Sequence, residues 1–190
     1  DISKRRIADG LVHPGDDYDG PVVVKTDLNH SGVRERALRQ AEGRWLSGLR
    51  DRLPPRWRGQ PPGGSYCVYD RPRLVPGWVW RSPHLVVQQL FTERRGGDYV
   101  IHQWFFLGEA GIVSSMTGSE PLLKWVNHTA LLPLHDEVPD EIRRRRVELG
   151  FDYGKFDYVV QDGRGRLLDA NATPHRGTTG PLTERQLTVM

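Results

Sequence analysis

Cysteine is almost missing from this chain. Cys67 stands alone among 190 residues, which excludes an internal disulfide framework and a thiolate metal cluster. A reducing, cytoplasmic compartment is the expectation that follows. No apolar run approaches the roughly 20 residues that a membrane-spanning helix needs, and no signal peptide is legible. Neither sign of charge dominates: 27 basic against 24 acidic residues leave a formal charge of +3, too little to call for nucleic acid. No membrane and no nucleic-acid partner is therefore expected. A G-x-x-x-x-G-K-[ST] loop is also missing, so any phosphate binding must rest on lysines and metal. Nor is there a convincing Ser-His-Asp or Cys-His arrangement, and His13, His30, His84, His102, His128 and His135 show no ligand spacing. The chain opens on Asp1 rather than methionine, which keeps a processed or longer parent chain in view.

What is present reads as α+β. The length suits one compact domain or two small lobes with a real core. P-V-V-V-K (21–25) is a buried strand ending in a lysine, followed by the polar loop T-D-L-N-H-S-G (26–32) with Ser31 as a helix N-cap. Val33, Ala37, Leu38, Ala41, Trp45 and Leu49 then mark one face of an amphipathic helix. Four prolines and three glycines between Pro54 and Gly64 make a loop. Strands are expected at 66–70, 84–91, 99–107 and 112–116, in an antiparallel meander with turns at 92–98 and 108–111. Pro139, Asp140 and Glu141 open a helix that carries Arg143 to Arg146 and closes at Gly150, an order that suits the helix dipole. The arginine run is therefore expected as a solvated helix face, with Glu141 spaced to pair with Arg145. Strands in runs beside two helices indicate α+β rather than a βαβ array.

The stretch G-F-D-Y-G-K-F-D-Y-V-V-Q-D-G-R-G-R-L-L-D-A-N-A-T-P (150–174) is a hairpin with acids in unusual places. Residues 156–161 and 166–170 are strands, and Asp162-Gly163 is a turn signal. With the hairpin centred on Gly163, Asp157 faces Asp169 at a Cβ separation of about 5 Å, and Asn171 shares their face. Two carboxylates so close repel unless a cation lies between them, and oxygen ligands from Asp, Asp and Asn suit Mg²⁺. A plain two-residue turn would instead place Leu168 opposite Asp157 and send Asp169 to the other face. The metal reading thus requires a three-residue loop or a bulge, to which Gly165 could contribute. Strand acids of this kind are otherwise simply solvated.

Taken together, P-V-V-V-K, L-V-V-Q-Q-L-F (85–91) and K-F-D-Y…L-L-D-A-N-A-T-P resemble the ATP-grasp superfamily, from Val22 to about Gly180. The resemblance implies two α+β lobes with mainly antiparallel sheets clasping ATP: 1–85 with the lysine strand, mobile loop and helix, and 86–190 with the adenine hinge, sheet and metal hairpin. It implies an ATP-dependent carboxylate–amine (or thiol) ligase working through an acyl phosphate. Its alternatives are a non-catalytic ATP-binding regulatory domain and a kinase-like phosphotransferase. The implied metal ligands are Asp157, Asp169 and Asn171, for Mg²⁺ or Mn²⁺. Lys25 would contact phosphates, Gln88, Gln89, Leu90 and Phe91 would meet adenine, and Asp98 would hold the ribose. Lys124 is a further candidate cation for phosphate or substrate. Lys155 would face the transferred phosphate, and Arg176, in H-R-G-T-T-G (175–180), would hold a substrate carboxylate. Partners are a small carboxylate and an amine or thiol; a homodimer is compatible, as is an N-terminal substrate domain in a longer parent. The chain departs from the family pattern in having only Gly32 in its phosphate loop and Gln88 where many relatives carry Glu.

Overall fold

The structure, a computed structural model, describes residues 3–28, 61–62, 66–124, 127–135 and 137–172. The expected helix over 33–49, most of the phosphate loop, and Arg176 lie outside the described residues. The architecture is α+β with antiparallel sheets, divided into two compact units, Asp1–Leu90 and Phe91–Met190. No described helix is long and apolar enough to cross a membrane.

In the first unit, strands β1 (Val22–Thr26), β2 (Cys67–Tyr69) and β3 (Leu85–Gln89) form an antiparallel sheet in the order β2-β1-β3. β1 is paired along both edges and buried at every residue, which explains why it reads as a continuous run of valines rather than an alternating strand. Among the described residues, two short α-helices, α1 (Lys4–Ile7) and α2 (Gly77–Trp80), accompany it. Val12, Val22, Val24, Val75, Val79, Leu85 and Val87 make the core, with Trp78 and Trp80 packed against it. The boundary falls at 90/91 rather than 85/86 because β3 is hydrogen-bonded to β1 along its whole length.

The second unit is a six-stranded sheet: β4 (Glu93–Arg95), β5 (Asp98–Leu107), β6 (Ala110–Gly118), β7 (Ala130–His135), β8 (Tyr153–Gln161) and β9 (Arg164–Asn171). The order is β7-β6-β5-β8-β9, and β4 pairs with β5 beyond the end of β8. Sequence reasoning missed β4 and β7; both are short or poor in β-branched residues. One face of the sheet is the core. Val100, His102, Trp104 and Phe106 alternate into it along β5, and Phe156 and Tyr158 do so along β8. Trp104, Phe106, Phe151 and Phe156 meet there edge-on or tilted, with centroids 4.6–6.1 Å apart, the spacing that ring quadrupoles favour.

Helix α3 (Asp140–Leu149) packs against β9. Pro139 is its N-cap, and Gly150 ends it in the left-handed conformation at φ 70°, where glycine carries no Cβ penalty. The arginine run is only partly the solvated face expected. Arg146 is buried, its guanidinium 4.9 Å above the Phe106 ring, its Nε donating to Phe151 O at 2.8 Å. Arg145 pairs with Glu148 rather than Glu141. The close seat of α3 rests on Gly165: a Cβ there would stand 2.7 Å from Ile142 Cγ1 and 2.9 Å from Pro139 Cβ. Gly165→Ala is expected to cost about 1–3 kcal/mol through overpacking, read as a lower urea midpoint; an unchanged midpoint would contradict this packing.

Candidate functional site

The hairpin β8–β9 resolves the register question with a bulge. Its turn is the two-residue Asp162-Gly163 turn, both residues at positive φ (53° and 72°), flanked by the Gln161–Arg164 pair. This is the backbone that Asp-Gly favours in a hairpin. Pairing then runs regularly to Tyr158–Leu167, skips Leu168, and resumes at Asp157–Asp169, Phe156–Ala170 and Lys155–Asn171. The extra residue is Leu168, not Gly165, whose lack of a side chain serves α3 instead. The bulge corrects the parity of the strand. Without it Asp169 would oppose Phe156 on the core face; with it Ala170 fills that buried position while Asp169 and Asn171 emerge beside Asp157 and Lys155.

Four polar side chains therefore share one partly exposed face. Asp157 Oδ1 takes Lys155 Nζ at 3.0 Å and Gln103 Nε2 at 3.1 Å. Gln103, directly across on β5, was not anticipated; only the three-strand register reveals it. Asp157 Oδ2 has no hydrogen-bond partner among the described residues. Asp169 Oδ1 accepts from the Ala170 N–H at 3.0 Å. Among the described residues no three His, Cys, Asp or Glu side chains converge as a metal site, so any ion here would rest on two carboxylates and the Asn171 amide oxygen. That all-oxygen donor set fits a hard divalent cation that keeps waters. Lys155 supplies the charge that offsets the facing carboxylates.

The remaining candidates have surroundings of their own within each unit. Lys25 is buried in the first unit, its ammonium 2.7 Å from Gln88 Oε1, while Gln88 Nε2 donates to Asp9 O at 2.8 Å. The N–H groups of Gln89 and Leu90 are already bonded, to Gly10 O and Pro21 O, each at 2.8 Å. Phe91 alone of the four expected hinge residues has a main chain without a hydrogen bond to any described residue; its ring lies under the Arg166 guanidinium at 5.3 Å. Asp98 begins β5, exposed; five residues at about 3.4 Å each separate it along the strand from Gln103 beside Asp157. Lys124 sits in the β6–β7 connection, where its N–H donates to Asn127 Oδ1 at 2.6 Å. In the second unit the structure thus brings together Lys155, Asp157, Asp169 and Asn171, and leaves Asp98 apart.

Sequence reasoning also missed a buried polar chain on the opposite face. Glu93 Oε2 meets His102 Nε2 at 2.9 Å, His102 Nδ1 meets Ser115 Oγ at 2.6 Å, and Ser115 Oγ meets His135 Nε2 at 3.2 Å. The order resembles a hydrolase triad, yet Ser115 is fully buried, so it cannot reach a substrate carbonyl. Burial would raise the Glu93 pKa, but hydrogen bonds from His102 and the Val160 N–H, with the charges of His102 and Arg95, outweigh it and hold the carboxyl below its ordinary range. Burial is also the main cause that pushes the Tyr158 phenol far above its ordinary value. No protein-family model, curated protein or solved structure matches this chain.

Proposed function

We propose that this chain is an ATP- and Mg²⁺-dependent ligase of the ATP-grasp kind, joining a carboxylate to an amine or thiol through an acyl phosphate. The observation that carries the reading is the Leu168 bulge, which sets Asp157, Asp169 and Asn171 on one face with Lys155 among them. The same bulge that buries Ala170 turns the two carboxylates and the amide to the partly exposed face, where their oxygens can reach a common ion.

Asp157, Asp169 and Asn171 would hold the Mg²⁺, which when bound supplies neutralising charge to the phosphates of ATP. Lys155, released from Asp157, would place its ammonium against the transferred phosphoryl oxygens, where negative charge develops. The substrate carboxylate attacks the γ-phosphorus, ADP leaves, and the acyl phosphate forms. The amine then attacks the acyl carbon, and inorganic phosphate departs with the C–O bonding pair. No side-chain nucleophile is needed, in agreement with the buried state of Ser115.

One observation favours the alternative of ATP binding without turnover: the Lys25 ammonium is buried against Gln88 rather than presented to solvent. Products separate the readings. Incubation with ATP, Mg²⁺ and pooled carboxylates and amines is expected to release ADP and phosphate in step with an amide adduct. A stable phosphorylated product would establish the kinase-like alternative instead, and firm ATP binding with no ADP release the regulatory one.

A further inference from the structure

A cavity of about 760 Å³ opens on the face of the second unit's sheet opposite the carboxylate pair. The opposition follows from the pleat: Gln103 and Asp157 meet on one side, while their neighbours His102 and Tyr158 stack on the other with centroids 5.0 Å apart. Buried His102, Tyr158 and Val138 belong to its lining, and Arg95, Glu137, Asp140 and Arg143 are its exposed members.

The charges at this cavity are arranged in an unusual way. Arg95 is anchored from below: Glu93 Oε1 holds its Nε at 2.8 Å while Glu93 Oε2 holds His102. One buried carboxylate thereby fixes both a guanidinium and an imidazole. The Nη groups of Arg95 have no partner among the described residues, and neither have the carboxylates of Glu137 and Asp140. Among the described residues, the Arg95 guanidinium and the Glu137 and Asp140 carboxylates line one cavity without closing on each other. Tyr158 adds a hydroxyl that stays protonated, already donating weakly to Glu137 O at 3.3 Å. Val138, Pro139 and Val160 supply an apolar wall. The volume lies within the range of ordinary small-molecule pockets, and an apolar wall with a few convergent polar groups is their usual make-up.

We propose that this cavity is a second site, separate from the ATP reading and independent of it, for a small zwitterion of α-amino-acid or dipeptide type. Its carboxylate meets the free edge of the Arg95 guanidinium, in the planar geometry that suits a fork, with Arg143 adding positive charge. Its ammonium meets Glu137 and Asp140, and its side chain lies along Val138 and Val160. A dianion is disfavoured because the two acids repel its second charge, and a lone cation because Arg95 and Arg143 repel it. The site lies across the sheet from Lys155 and Asp157 and shares no residue with that carboxylate face.

The test is a histidine-ring NMR titration of the full chain with the twenty amino acids singly and glycylglycine, beside acetate, ethylamine and succinate. At least one zwitterion is expected to shift the His102 and His135 resonances saturably, with a Kd in the range of about 1 mM or tighter. Arg95→Gln, at an exposed guanidinium that leaves Glu93 and His102 in place, is expected to weaken that binding about tenfold or more. Asp157→Asn, on the other face, should leave it unchanged. No saturable shift with any zwitterion overturns the proposal. So does succinate binding as tightly as the best zwitterion, or binding that survives both Arg95→Gln and the Glu137→Gln/Asp140→Asn double variant.

Discussion

Glu93→Ala is expected to destabilise the second unit by about 3–5 kcal/mol, the cost of removing one partner from a buried charged network. Glu93 is only 8% exposed and serves three partners: Arg95 at 2.8 Å, His102 at 2.9 Å and the Val160 N–H at 2.7 Å. Alanine would strand a buried imidazole and a buried N–H at once, and the cavity left behind cannot collapse easily beneath a sheet. Glu93→Gln should cost less, because the amide oxygen still accepts one of these bonds while the charge is lost.

The pH dependence has a definite sign. A carboxyl held below its ordinary value of 4.5 in the folded state contributes stability that is present above pH 4.5 and is lost as pH falls through the depressed value. Wild type should therefore lose stability on acidification below about pH 4.5 more steeply than Glu93→Gln, which has no such proton to bind. Urea midpoints measured at several pH values check both statements. Parallel curves for the two proteins, or a Glu93→Ala loss under about 1 kcal/mol, would show that the carboxylate is effectively solvated.

Much of the fold was legible because local signals agreed with the tertiary outcome. The valine run of β1, the aromatic and β-branched run of β5, the Asp-Gly turn and the Pro139–Gly150 helix each had a direct physical cause in the sequence. The boundary between units was not legible, since it depends on which partner β3 finds rather than on its composition. At the candidate site, the facing of Asp157 and Asp169 could be stated as a requirement, but the device that meets it could not. Leu168 has no property that marks a bulge; it is left unpaired because Leu167 and Ala170 both belong in the core, and the strand must change parity between them. Gly165 looked like the bulge residue and is instead the seat of α3. Gln103 and the Glu93–His102–Ser115–His135 chain join residues distant in sequence, so spacing along the chain carried no trace of them.

The second large effect concerns the carboxylate pair itself. Asp157→Asn combined with Asp169→Asn keeps the shape of both side chains and removes both charges. Without metal the double variant should match wild type within about 1 kcal/mol, because the lost Lys155–Asp157 pair is set against relief of the facing charges. With Mg²⁺ and ATP the difference should be large if the pair holds the metal, since neutral amides are poorer ligands than carboxylates for a hard divalent ion. This asymmetry separates a metal role from a structural one.

The most direct measurement is calorimetric titration of ATP into wild type and this double variant, each with and without Mg²⁺. Wild type is expected to bind ATP with Mg²⁺ at least about 100-fold more tightly than the double variant, a difference of roughly 2.7 kcal/mol. The two proteins are expected to become alike when the metal is withheld. Equal affinities in the presence of Mg²⁺, or no ATP binding by the wild-type protein, would contradict the assignment of the bulged hairpin as a Mg²⁺–ATP site.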